Sequence, residues 1–161
     1  MKFLGRIGIA LLLLGTVVLG AGQAGLLAGS LPKRLGVTNG RLSPPSQTPN
    51  SVSSQADLYP GHAQQAYAAM APMRFQGDGG AAMQKLAAIL RTMPRTTVVT
   101  EQADYIHTES RTPVLNFTDD LEFWVDRPAG LIHFRSASRL GRKDFGANRT
   151  RMEEIRRLFT A

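Results

Sequence analysis

The run Asp119-Asp-Leu-Glu-Phe-Trp-Val-Asp126, then Arg127-Pro-Ala-Gly130, then Leu131-Ile-His-Phe-Arg-Ser-Ala-Ser-Arg139, decides how the rest of the chain is read. Two alternating stretches flank a Pro- and Gly-containing turn, which is the pattern of a β-hairpin. A two- or a four-residue loop gives the same register, with Phe123 opposite Phe134, Val125 opposite Ile132 and Leu121 opposite Ser136. The other face then sets Glu122 against Arg135 and Trp124 against His133. Opposite charges directly across a strand pair attract, and apolar partners collect on the other face. A three-residue loop destroys both matches. Glu122 and Arg135 are therefore predicted to form a structural ion pair.

Outward from this hairpin, Thr96-Thr-Val-Val-Thr100 is β-branched throughout and reads as a strand. Tyr105 to Arg111 alternates and reads as its partner. Met83, Leu86, Ile89, Leu90 and Met93 recur at helical spacing until Pro94 stops them. Downstream, Met152, Ile155, Leu158 and Phe159 form the apolar stripe of a last helix. Asp144 or Asn148 is placed to cap it, and Glu153 precedes Arg157 by one turn. These elements predict a two-layer α+β domain, an antiparallel sheet of four or five strands with both helices on one face. The second face is expected to be open or covered by residues 50–80. There Val52-Ser-Ser-Gln-Ala-Asp57 reads as a turn, Ala66 to Phe75 as an edge strand around Pro72, and Gly77 to Gly80 as a breaker.

Lys2 and Arg6 precede an uncharged run from Ile7 to Pro32. A basic start before Ile-Ala-Leu-Leu-Leu-Leu is the pattern of an export signal, and the run is also long enough to cross a bilayer. Residues 1–32 are read as a signal peptide or transmembrane anchor, 33–48 as a flexible Ser/Pro/Gly linker, and 49–161 as one domain. The expected location is the cell envelope, with the domain outside the cytoplasm. It is anchored in the inner membrane, or periplasmic or secreted if the signal is cleaved.

The net charge is +7, and residues 135–161 hold eight positive charges against three negative. Without cysteine there is no disulfide or thiolate metal site, and His62, His107 and His133 lie far apart, so no metal is expected. No Gly-rich phosphate loop of the common spacings occurs, so no cofactor is expected either. With one Trp and three Tyr, the chain lacks the aromatics of a single-strand binder, and no nucleic acid is expected as partner.

Four motifs then read together: Pro49-Asn-Ser-Val-Ser-Ser-Gln55, Phe117-Thr-Asp-Asp-Leu-Glu-Phe123, Arg135-Ser-Ala-Ser-Arg-Leu-Gly141 and Asp144-Phe-Gly-Ala-Asn-Arg149. In this order they resemble the domain-of-unknown-function family 1499 over about residues 45–160. The resemblance implies that Ser51 to Gln55 belongs to the domain. It also implies a departure, because that family usually has Cys where this chain has Ser51. No activity comes with it.

Three function classes emerge from the residues. Arg139, Arg142, Asn148 and Arg149, at a turn and a helix start, are candidates for binding an anionic small molecule. The competing reading makes these arginines internal ties to Asp119, Asp120 or Asp144. Tyr105, His107, Trp124 and His133 share a sheet face and are candidate contacts for an envelope partner protein. A hydrolase would draw on Asp119, Asp120, Glu122 and His133 with Ser136 or Ser138, but no Gly-x-Ser-x-Gly elbow is present. Binding, rather than catalysis, is the expectation.

Overall fold

The computed structural model describes the backbone of residues 2–161 and the side chains of residues 6–161. In chain order the elements are α1 (Lys2–Gln23), β1 (Ser51–Ser53), a 3-10 turn (Ala56–Leu58), α2 (Gln65–Ala68), β2 (Met73–Arg74), α3 (Gly79–Thr92), β3 (Thr96–Glu101), β4 (Tyr105–Arg111), β5 (Thr118–Asp126), β6 (Leu131–Ser138) and α4 (Ala147–Thr160). The fold is α+β, as the sequence predicts.

Strands β3 to β6 form an antiparallel meander, and β6 takes β1 and β2 along its outer side, giving the order β1-β6-β5-β4-β3. The central register is the predicted one: Glu122 opposite Arg135, Phe123 opposite Phe134, Trp124 opposite His133 and Val125 opposite Ile132. Strand alternation sends Ile106, Leu121, Phe123, Val125, Ile132 and Phe134 to one face, where α3 and α4 cover them. Met83, Leu86 and Leu90 from α3 and Met152, Ile155 and Phe159 from α4 complete this core. Each such side chain stabilises the fold by about 1.5–3 kcal/mol relative to exposure.

Four local expectations are corrected. The segment 52–57 is not merely a turn, since Ser51–Ser53 pairs with Arg135 to Ala137 as an edge strand. The segment 66–75 folds as a single helical turn followed by the two-residue β2, because only Met73 and Arg74 reach β6. Gly79 and Gly80 open α3 instead of breaking it. Asp78 caps that helix by accepting the Ala81 N–H at 2.7 Å, and a Cβ on Gly79 would come within 2.9 Å of the Arg127 side chain. On α4 the ion pairs run Glu153–Arg156 and Glu154–Arg157, three residues apart, in place of Glu153–Arg157.

The largest difference concerns residues 33–48. Their Ser, Pro and Gly content suggests a solvated spacer, yet they lie as a strap across the second face of the sheet. Leu42 is buried, and its N–H donates to the Gln55 side chain at 2.8 Å. That side chain in turn donates to the Gly40 carbonyl. The cover expected from residues 50–80 thus comes chiefly from further upstream, with Gln55 and Tyr59 fastening it and Ser54 meeting His133.

Candidate functional site

Beneath the strap lies the polar face of the sheet, carrying Tyr105, His107 and Glu109 from β4, Asp120, Glu122 and Trp124 from β5, and His133 and Arg135 from β6. Period-two alternation puts them there, because their neighbours in sequence fill the core. Asp120, Glu122 and His107 are almost fully enclosed. Charges that lose water must find partners. Asp120 is fully bonded, whereas Glu122 leaves Oε2 with no hydrogen bond and only Arg135 at 3.8 Å.

Glu122 accepts the Tyr105 hydroxyl at 2.8 Å and the Gly36 backbone N–H at 2.7 Å through Oε1. Arg135 donates from Nε to the Pro44 carbonyl at 3.1 Å and keeps its guanidinium 3.8 Å from Glu122. The predicted pair is present but loose, and both partners also hold the strap. Burial pushes the Tyr105 hydroxyl pKa well up, reinforced by the Glu122 charge. Burial likewise lowers the Arg135 pKa, against the pull of Glu122 and Asp120.

Beside them, the Asp120 carboxylate accepts a hydrogen bond from His107 Nε2–H at 2.8 Å and two from Arg139, at 2.8 and 2.7 Å. Arg139 also bonds Glu109. Burial alone would raise the Asp120 pKa, but the bonds from Arg139 and His107 outweigh it and hold the carboxyl below its ordinary value. At the edge of this face, Trp124 stacks on His133 with ring centres 5.6 Å apart. The four aromatic and imidazole candidates are therefore brought together, but under the strap rather than on an open docking face.

The arginine-rich segment after β6 is not assembled into one site. Arg139 turns back onto the sheet. Arg149 donates to the carbonyls of Tyr67 and Ala69, at 2.6 and 3.1 Å. Asn148 is wholly buried and joined to Ser136, Ser138, Asp144 and the Asn50 carbonyl. Arg151, which the sequence did not single out, pairs with Asp119 at 2.8 Å. The start of α4 is already occupied by a carboxylate, since Asp144 accepts the N–H groups of Gly146 and Asn148. Only Arg142 of the four anion candidates stands exposed. Ser136 and Ser138 face the helix layer, on the side opposite His133.

Two clefts border the strap. One, of about 390 Å³, lies between Leu35–Val37 and the side chains of Tyr105, His107 and Trp124. Nδ1 of His107 has no hydrogen-bond partner among the described residues, and His107 borders this cleft. The other, of about 480 Å³, is lined by Lys33, Arg34, Arg41 and Tyr59 with the strap backbone, and no carboxylate lines it. Sequence reasoning missed these three cations because they fall in the presumed spacer. Ser51, also beneath the strap, is buried and accepts the Ser46 N–H at 2.8 Å, a bond that a thiol would accept less well. No group of acidic and histidine side chains suited to a metal ion occurs among the described residues.

Neither the curated proteins nor the solved structures contain a match to this chain. The profile of a family described as protein of unknown function, DUF1499, matches residues 41–159, from the middle of the strap to the last turn of α4. That span takes in the whole sheet, the buried charge network and both core helices, and the chain belongs to the DUF1499 family.

Proposed function

We propose that this protein is a membrane-tethered domain of the cell envelope that binds a small anionic molecule in the cleft between the strap and Tyr59. The observation that carries the reading is the set Lys33, Arg34 and Arg41, exposed cations around one concave space with no carboxylate in its lining. The other cations of the sheet face, Arg135 and Arg139, already meet acids or carbonyls, so the strap holds the positive charge left for a ligand. Arg41 and Arg135 both act on the Tyr59 hydroxyl, whose pKa burial nonetheless raises. The Arg6–Gln23 helix, apolar and near the N-terminus, has the length for a tether and also suits a signal sequence. A basic start before an apolar run is the pattern of an export signal, although Lys33 and Arg34 place equal charge after the run.

Isothermal titration of the full chain with phosphate, citrate and soluble phospholipid headgroups tests the reading. Heat is expected with at least one of them at moderate salt, and the Lys33→Ala/Arg34→Ala/Arg41→Ala variant should lose it. Absence of heat with all three overturns the proposal.

A second reading rests on the Asp120–His107 pair. A carboxylate that orients an imidazole whose other nitrogen borders a cleft is the arrangement of a general base. Among the described residues that line this cleft there is no serine or cysteine, so a base acting on water is the form this reading takes. Ester and phosphoester turnover that survives His107→Gln would dismiss it.

A further inference from the structure

The two ends of the sheet differ in chemistry. At one end the β4–β5 loop (112–117) meets the β6–α4 loop (139–146), where Arg139 N–H bonds the Thr118 carbonyl. Helix α1 stops against this same end. The Gln23 side chain donates to the Val114 carbonyl at 2.8 Å, and Asn116 donates to the Gly22 carbonyl at 3.3 Å. The approach is close enough that a Cβ on Gly22 would lie 2.8 Å from the Leu115 carbonyl oxygen, and one on Gly29 2.8 Å from Arg139 Cβ. The 18-residue apolar segment Arg6–Gln23 is only 6% buried within the chain. If it spans a bilayer, Gln23 stands at headgroup level and this end of the sheet faces the lipid.

That end displays Val114 at 60%, Leu140 at 41% and Phe145 at 94% exposure. Phe145 also has φ of 52°, a left-handed backbone that bulky residues adopt rarely and at a cost. Its neighbour Asp144 fixes the conformation, bonding the Tyr67 hydroxyl at 2.6 Å and two backbone N–H groups. The loop thus holds an aromatic ring out in solvent on a braced backbone. Beside it in the same loop stand the exposed cations Arg142 and Lys143, and Arg95, whose carbonyl accepts the Arg111 N–H, is exposed at the same end of the sheet. Asp144 is the one carboxylate in the two loops. The opposite end, with the β3–β4 and β5–β6 turns and the start of α3, carries Asp78, Glu101, Asp104 and Asp126 against Arg74 and Arg127, and so has no cationic excess. Apolar side chains beside cations are what an interface of anionic lipid recruits.

We infer that this end of the domain is a membrane-docking surface. Phe145, Leu140 and Val114 enter the boundary between headgroups and acyl chains, and Arg142, Lys143 and Arg95 meet lipid phosphates. The inference rests on α1 acting as a tether and goes beyond it, since a tether alone leaves the domain free to tumble above the bilayer. Docking instead fixes which way the strap clefts face.

The full chain in vesicles tests this. It has no cysteine, so Ala147→Cys and Asp104→Cys each give a single site for an environment-sensitive fluorophore, one beside Phe145 and one at the far end. In phosphatidylcholine vesicles containing phosphatidylglycerol, lipids brominated on their chains should quench the probe at position 147 about threefold more than that at 104. Adding Phe145→Ser should bring the two to the same level. Arg142→Glu with Lys143→Glu should remove the dependence on phosphatidylglycerol. Equal quenching at 147 and 104 in a chain that floats with the vesicles overturns the docking surface and leaves the tether standing, and it would point to a protein partner for the patch. A chain that fails to float overturns both.

Discussion

Glu122 and Arg135 stand directly opposite in the β5–β6 register, yet their charged groups rest 3.8 Å apart because each has a closer partner in the strap or on β4. Glu122 is held by Gly36 and Tyr105, and Arg135 by Pro44. The pair therefore fastens residues 33–48 to the sheet as much as it joins two strands.

Removing one member leaves the other charged and buried, which typically costs about 3–5 kcal/mol. Arg135→Ala should lower the unfolding free energy from urea titration by that much, whereas exposed Arg142→Ala should stay within about 0.5 kcal/mol of the parent. Equal stabilities for the two variants would mean that the strap does not seal this face in solution.

Acid should loosen the same network. Asp120 has a folded pKa below its ordinary value, its bonds to Arg139 and His107 prevailing over burial. A depressed carboxylate contributes stability that is present above its unfolded pKa, about 4, and lost as pH falls through the folded value. Asp144, depressed by bonds from Tyr67, Gly146 and Asn148 against burial, adds in the same direction. Urea midpoints measured from pH 6 down should fall below about pH 4, and Asp120→Asn should flatten that fall. A variant as steep as the parent would assign the acid sensitivity elsewhere.

Much of this was legible in the sequence, for a physical reason. The hairpin register comes from matching side chains across two strands, where a one-residue slip exchanges the core and polar faces. Helix periodicity likewise exposed α3 and α4. The strap was not legible, because a Pro- and Ser-rich segment has the same composition whether water or buried side chains satisfy its backbone. Its anchors, Gln55, Glu122 and Arg135, lie 13, 86 and 91 residues from their strap partners. The destinations of the arginines were hidden for a related reason. Several acids lie within reach of several cations, and only packing shows that Arg139 meets Asp120 while Arg151 meets Asp119.

His133 offers an internal reading of pH at the edge of the face. Burial lowers its pKa below the ordinary imidazole value, partly offset by Asp126. A lowered histidine favours the fold above its unfolded pKa of about 6.5 and costs stability as pH falls below it. Trp124, the single Trp of the chain, stacks on this ring with centres 5.6 Å apart, and a protonated imidazole is expected to quench it. Trp fluorescence should therefore drop with a midpoint below about pH 6.5, and His133→Phe should abolish the step. A midpoint above that value would mean an acid outweighs desolvation there.

Asn148 gives the sharpest contrast between a ligand-binding and an architectural role. Placed at a helix start among arginines, it suggests an anion contact, but it is fully enclosed and binds Ser136, Ser138, Asp144 and the Asn50 carbonyl. Those partners belong to β6, to the residue before β1 and to the turn into α4, so one amide joins three parts of the chain. Asn148→Ala leaves several of them without a partner inside the protein, at roughly 1–3 kcal/mol for each group that water fails to reach. The loss should total about 3 kcal/mol or more, well above the cost of a single surface bond. Amide hydrogen exchange offers a finer check. Protection should fall at Ser138, whose N–H bonds the Asn50 carbonyl, and along the first turn of α4, while β3 and β4 keep theirs. If Asn148→Ala instead preserves stability and abolishes anion binding, the residue belongs to a ligand site and its enclosure does not persist in solution.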